Sequence, residues 1–203
     1  MKSGPDNDSP ASVEIETKDG VFTAYFSERG LARLDFPVKF QPGRPHGRAA
    51  LPRSRCSVDE AAPQRHPTIG GCVGIVHSAM AMAASPENSP WIAILQSALE
   101  EALQAKAPRR LPPLDLEAGR DFQQSVWRAL LRIPPGQTMS YGKVAQTIGH
   151  PKAVRAVGQA CGANPIPVLI PCHRVIAAHG AIGGFSCGLE LKRLLLEREG
   201  IRL

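Results

Sequence analysis

The stretch NPIPVLIPCHRV, residues 164–175, constrains this chain more than any other. Prolines at 165, 167 and 171 punctuate an apolar run that ends on a thiol, an imidazole and a guanidinium. Proline fits the first turn of a helix, so Pro171 is expected to place Cys172 near a helix N-terminus. The dipole and free N–H groups there favour a thiolate. An unassisted thiol, with a pKa of about 8.5, is only a few per cent ionised at neutral pH. His173 is the nearest base, yet neighbours i and i+1 do not face each other on a helix. A bridging water is the natural link between them, and His173 then needs a carboxylate to fix its tautomer. Beyond residue 118 the candidates are Asp121, Glu190, Glu197 and Glu199. A small buried cysteine beside a satisfied polar histidine is the bland alternative. The proline-pinned approach favours a nucleophile.

The chain's 203 residues suffice for one large domain or two small ones. Its polar start, MKSGPDNDSP, is unlike a secretory signal. The longest apolar stretch, 72–84, is interrupted by His77 and is too short to span a bilayer. A soluble cytoplasmic protein that does not engage membranes is expected. Five cysteines without regular spacing argue against a disulfide framework. His46, Cys56, His66, Cys72 and His77 lack the spacing of zinc ligands, so no metal and no cofactor are expected. Residues 1–118 carry a net charge of −1 and residues 119–203 a net +7. A basic C-terminal half suggests a polyanionic partner, nucleic acid first.

Residues 12–38 read as strands around two turn signals, Asp19-Gly20 and Arg29-Gly30. Residues 41–70, rich in Pro, Arg, Gly and Ser, read as a mobile insertion or long loop, and 71–88 are ambiguous. Ser89-Pro90 opens a helix through WIAILQSALEEALQAK. APRRLPP (107–113) is a connector. Asp121 is a plausible N-cap for a helix with Phe122, Val126, Trp127, Leu130 and Leu131 on one face. IPPGQT breaks it, and Ser140 caps the next helix. Gly149-His150 turns the chain, and Pro151 starts a helix that ends near Gly162. Two short helices joined by a tight turn in a basic block have the form of a helix-turn-helix or of an ordinary helical hairpin. A last helix is expected from about Leu189 to Arg198, with Leu191, Leu194 and Leu195 inward.

From Phe122 to Gly200 the chain resembles the O6-alkylguanine-DNA alkyltransferases, the methylated-DNA–protein-cysteine methyltransferases. The resemblance rests on FQQSVWRALLRIPPGQTMSYGKVA, GHPKAVRAVGQACGANPIPVLIPCHRV and GAIGGFSCGLELKRLLLEREG, in order and spacing. It implies an α+β fold: an N-terminal ribonuclease-H-like α/β domain with an antiparallel sheet (1–112), carrying a poorly ordered 41–88 insertion. A mostly helical, winged-helix-like domain with a helix-turn-helix (113–203) follows. It implies a monomer that takes the alkyl group from O6-alkylguanine, with O4-alkylthymine as a further candidate substrate, in double-stranded DNA. The base is flipped from the minor groove, and each molecule acts once.

By resemblance, Cys172 is the acceptor, His173 its water-linked base and Glu199 the carboxylate behind the histidine. Asn164 forms the turn into the reactive loop, and Tyr141 donates to the extruded base. Arg155 is the finger that fills the vacated stack, on a helix whose small residues, Ala156 among them, allow close approach to the groove. The Ser186 backbone meets the guanine O6, the Val175 carbonyl meets the exocyclic amine, and Pro167 and Phe185 wall the pocket. Gln123, Gly142 and His150 resemble phosphate contacts. Cys187 departs from the family pattern and is a bystander thiol or a secondary acceptor. The competing readings are an alkyltransferase-like protein that binds lesions without repair, a thiol hydrolase, and a transcription regulator using the helix pair alone.

Overall fold

The computed structural model describes residues 12–37 and 90–203. The 41–88 insertion, the Ser89 cap and the five zinc candidates lie outside them. Strands β1 (Ser12–Thr17), β2 (Gly20–Ser27) and β3 (Gly30–Asp35) form an antiparallel sheet in the order β1-β2-β3. Both connections are tight turns. Glycine serves them because Gly20 and Gly30 sit at φ +125 and +142, a region closed to most side chains. Phe22, Ala24, Leu31 and Leu34 are buried, while Val21 stays exposed.

Helix α1 (Pro90–Leu103) buries Leu95, Ala98, Leu99, Ala102 and Leu103. It stops three residues before the expected Lys106, and Ala105 turns back at φ +60. The connector then adds to the sheet. Leu31 donates to the Pro113 carbonyl at 2.8 Å and accepts from Asp115 at 2.9 Å.

The remaining helices are α2 (Asp121–Leu130), α3 (Tyr141–Thr147), α4 (Val154–Gly162) and α5 (Leu189–Arg198). Asp121 is the first helical residue of α2 rather than its cap. The cap is Arg120, whose backbone N–H donates to the Gln123 side chain at 3.0 Å. Ser140 caps α3 as expected, accepting from Lys143 N–H at 3.1 Å. Pro151 does not start α4. Residues 150–153 close a turn of their own, with Ala153 N–H on the His150 carbonyl at 2.9 Å, and the helix begins at Val154.

Helices α2, α3 and α4 pack against one another, and the Trp127 indole donates to the Ala160 carbonyl at 2.8 Å. A two-residue parallel pairing then sets the site. β4 (Met139–Ser140) runs beside β5 (Val175–Ile176), Met139 opposite Val175. The pairing fixes the loop that ends at Val175 relative to Tyr141, the first residue of α3. The sheet reaches the same loop, since Leu34 N–H donates to the Pro165 carbonyl at 2.9 Å. Sheet and helices share one contiguous apolar core, a mixed fold of a small antiparallel sheet and several helices. Among the described residues no helix is long and apolar enough to cross a membrane.

Candidate active site

Pro171-Cys172-His173 does not open a regular helix. Cys172–Arg174 is a single 3-10 turn, with Pro171 just before it. One turn aligns too few peptide dipoles to act as a helix N-terminus, so the thiol must be tuned by side chains instead.

Those side chains are close. Asn164 donates through Nδ2 to the Cys172 sulfur at 3.1 Å and to the Ile170 carbonyl at 2.8 Å, and its Oδ1 accepts from Ile166 N–H at 3.1 Å. One amide therefore fixes the loop's turn and touches the nucleophile. Cys172 is 4% exposed. Burial pushes its thiol up to about 11, against the downward pull of the Asn164 hydrogen bond. The neighbouring Cys187 raises it further, and the Lys192 ammonium lowers it. A group so placed is protonated at neutral pH. The expected standing thiolate is corrected accordingly: the thiol needs a base at the moment it reacts.

The base is fully specified by its neighbours. Glu199 Oε1 lies 3.1 Å from His173 Nε2. Arg174 grips the same carboxylate through Nε and Nη2, at 2.8 to 3.1 Å, and spends Nη1 on the Ile133 carbonyl at 2.6 Å. Gly136 N–H adds a bond to Oε2 at 3.2 Å. The Glu199 side chain is 2% exposed. Burial disfavours its charge, but the His173 and Arg174 hydrogen bonds outweigh that and hold the carboxyl down to about 2. An ionised carboxylate only accepts, so His173 carries its proton on Nε2 and keeps a lone pair on Nδ1. Nδ1 is buried and has no protein partner. Burial lowers the His173 pKa, against the raising effect of Glu199, so the ring is neutral at neutral pH.

A cavity of about 140 Å³ opens over the sulfur, lined by Tyr141, Gly158, Cys161, Gly162, Cys172, Gly184, Phe185 and Ser186. The Tyr141 hydroxyl donates to the Gly184 carbonyl at 3.4 Å. Burial raises its pKa, and the Cys161 and Cys172 thiols do so further, which keeps it a proton donor. Gly183 gives the ring room. It sits at φ +68, and a Cβ there would lie 3.0 Å from the ring.

The expected site residues divide into three places. Cys172, Tyr141, Phe185 and Ser186 line the cavity, with Asn164, His173 and Glu199 behind the thiol. Val175 is buried below, and its carbonyl accepts from Lys192 Nζ at 2.6 Å. Pro167 is buried in the loop and is not among the lining residues. A second group lies along the outer face of α4. Arg155 is exposed. A groove of about 380 Å³ takes Gln123 and Ala156 together with Arg120, Phe122, Gln159 and Ala160. The His150 ring meets Phe122 edge-on, with centroids 5.7 Å apart. Gly142 is half-buried on α3. Cys187 stands outside the cavity, exposed, its sulfur 3.8 Å from Ser186 Oγ.

Sequence reasoning missed three residues. Lys192 is 0% exposed, and its ammonium also donates to the Gly184 carbonyl at 3.1 Å. Its signal was available: residues 192, 195, 196 and 199 share one helical face, so a lysine there sits among Leu195, Leu196 and Glu199. Cys161 lines the cavity, and burial pushes its thiol up to about 12. Arg174 is the clamp on Glu199. Among the described residues no cluster of His, Cys, Asp or Glu is placed to hold a metal ion.

Residues 121–201 match the family described as 6-O-methylguanine DNA methyltransferase, DNA binding domain. The chain is 54% identical over 82 residues to a methylated-DNA–protein-cysteine methyltransferase of Methanosarcina acetivorans, a match covering 40% of this chain and 53% of that one. It is 57% identical over 89 residues to the protein of the same name from Mycobacterium bovis, covering 44% and 53%. These matches span about half the length of the relatives. In structure the chain is similar to Mycobacterium tuberculosis OGT, solved in complex with DNA. The TM-score is 0.60 and the identity 30%, over 92% of this chain and 90% of that one.

Proposed function

We propose that this chain, which belongs to the O6-methylguanine-DNA methyltransferase family, repairs DNA by moving the alkyl group of O6-alkylguanine onto Cys172. The observation that carries the reading is the pair of polar contacts behind the thiol: Asn164 on the Cys172 sulfur, and a neutral His173 whose free nitrogen is buried and whose other nitrogen is locked on Glu199.

The reaction is a displacement at the alkyl carbon. The thiol proton passes to His173 Nδ1 through a bridging water. The sulfur–carbon bond forms as the carbon–O6 bond breaks, and the electron pair goes to the base. The base takes a proton back and leaves as guanine. Tyr141, a neutral donor on the cavity wall, stabilises charge as it develops on the ring. The imidazolium that forms lies against Glu199, which is already ionised. General acid–base help of this kind is worth about 10²–10⁴-fold. The thioether product has no carbonyl for water to attack, so each molecule turns over once.

The reactive carbon is inaccessible inside a stacked duplex, so the nucleotide is flipped out, at a cost of a few kcal/mol. Arg155, exposed on α4 among small residues, fills the gap. Gln123, Gly142, His150 and Ala156 take the backbone on either side. Ser186 and Val175 read the base edge beneath Phe185, and Pro167, buried in the reactive loop, backs the pocket wall. Residues 113–203 then form the winged-helix-like acceptor domain, and 1–112 the ribonuclease-H-like domain that buttresses it. The protein works as a monomer, without a cofactor. A lesion-binding protein that does not repair has no use for an activated thiol, which disfavours that alternative.

The test is a titration of duplex carrying one O6-methylguanine against protein. Restored guanine should rise linearly to one equivalent and stop, and Cys172→Ala should restore none. Continued turnover past one equivalent contradicts the reading.

A further inference from the structure

Arg198 and Glu199 are consecutive, and they bind different parts of the molecule. Glu199 holds His173 and Arg174. Arg198 reaches the N-terminal sheet instead. Its Nη1 and Nη2 donate to Asp19 Oδ2 and Oδ1, both at 2.7 Å, and Nη1 also donates to the Leu103 carbonyl at 3.3 Å. Asp19 lies in the β1–β2 turn and is 4% exposed. Its own backbone N–H is held by Thr17 Oγ1 at 3.2 Å.

A helix end is where local opening starts, and at the end of α5 the Gly200 and Ile201 N–H groups close on the Glu197 and Leu196 carbonyls, each at 2.9 Å. α5 ends at Arg198, and Gly200 leaves it at φ +79. Glu199, the residue that sets the His173 tautomer, therefore hangs from the part of the helix most prone to fray. A forked, two-bond guanidinium–carboxylate contact fixes direction as well as distance. Here it joins that last turn to the sheet and to the end of α1.

We infer that Asp19 is a positioning residue for alkyl transfer: through Arg198 it fixes the last turn of α5 and so holds Glu199 on His173. The inference rests on the proposed reaction. It gives the N-terminal sheet, which contributes no lining to the cavity, a part in the chemistry. It also has an electrostatic side. The groups facing His173 are Glu199, Arg174 and Lys192. Neutralising Asp19 loosens the turn that carries Glu199, and a weaker Glu199 contact, the one that raises the His173 pKa, disfavours the imidazolium formed during transfer.

The experiment compares Asp19→Asn, Asp19→Glu and Arg198→Lys with the wild type in single-turnover transfer from an O6-methylguanine duplex. Rates are taken per active molecule, from about pH 5 to 9, a window that brackets the ordinary histidine pKa. For Asp19→Asn the plateau rate should fall about tenfold, a part of the advantage that general acid–base help supplies. The acid limb of the profile should also move to lower pH. Asp19→Glu should recover most of the rate. Arg198→Lys, which keeps the charge and loses the fork, should lower the plateau with a smaller shift of the limb. Affinity for undamaged duplex should stay unchanged, because neither residue lies on α4. A merely structural pair would lower the melting temperature or the active fraction and leave rate and profile per active molecule as in the wild type. That outcome in Asp19→Asn, or in Arg198→Lys should Asp19→Asn fail to fold, overturns the inference. Failure of the wild type to restore guanine would instead overturn the parent reading.

Discussion

His173 Nε2 lies 3.1 Å from Glu199 Oε1, while the other ring nitrogen is buried without a protein partner. The carboxylate orients the ring, and the free lone pair is left for the thiol proton. Glu199→Gln keeps the shape and removes the charge. The amide can present N–H or C=O to His173, so the tautomer is no longer imposed, and the Arg174 guanidinium loses its counter-charge. Removing one partner of a buried pair typically costs about 3–5 kcal/mol. Thermal unfolding should show a lower melting temperature. Single-turnover transfer should slow by about 10²-fold or more, within the range of general acid–base effects.

Lys192 is a second buried cation of the site beside Arg174, bonded to the Val175 and Gly184 carbonyls. Lys192→Met keeps the length and removes the charge and both donors. The Cys172 thiol, already near 11, should titrate higher still, as thiolate absorbance against pH will show. The buried Val175 carbonyl loses this donor, while Gly184 keeps the Tyr141 hydroxyl. An unmet buried group costs about 1–3 kcal/mol, so denaturant unfolding should report a loss of about 2 kcal/mol or more.

Asn164 donates a side-chain hydrogen bond to the sulfur. In Asn164→Asp the Nδ2 donor becomes an acceptor facing both the sulfur and the Ile170 carbonyl, while the bond from Ile166 N–H survives. The thiol should rise further, and alkylation by a small reagent such as iodoacetamide should slow. Asn164→Ala should destabilise the loop through three lost bonds, each worth about 0.5–1.5 kcal/mol.

Acid should act on the site in two stages. Burial lowers the His173 pKa from its ordinary 6.5. Stability from the neutral ring is therefore complete above 6.5 and is lost as pH falls below it. Glu199 is held down from 4.5 to about 2, so its contribution is complete above 4.5 and is lost as pH falls toward 2. Urea midpoints against pH should decline below about 6.5 and more steeply below about 4.5, in line with those shifts. Glu199→Gln should remove the second stage.

Local signals in the chain were legible where local physics decides. Asp19-Gly20 and Arg29-Gly30 are the observed hairpin turns, Ser140 is the cap of α3, and α5 runs from Leu189 to Arg198 as expected, although it buries Lys192, Leu195 and Leu196 and leaves the expected Leu191 and Leu194 half-buried. The PCHRV and GFS stretches do meet around one cavity with Tyr141. What sequence reading got wrong depends on contacts between distant segments. Pro171 can open a helix, but the β4–β5 pairing takes the chain at Val175, after a single 3-10 turn. Lys192 is polar by type and buried by place, because two carbonyls from the loops at 175 and 184 converge on it. Arg198 was an ordinary helix-terminal cation until a turn 179 residues away in sequence supplied its partner.

The central claim is that one sulfur, Cys172, accepts the alkyl carbon. Peptide mapping by mass spectrometry after exposure to duplex DNA with O6-methylguanine tests it most directly. The account predicts a single added methyl group on the Cys172 peptide, in proportion to guanine restored, with the Cys161 and Cys187 peptides unmodified. Restored guanine with an unmodified Cys172 peptide, or a methyl group on Cys161 or Cys187 in its place, would contradict it.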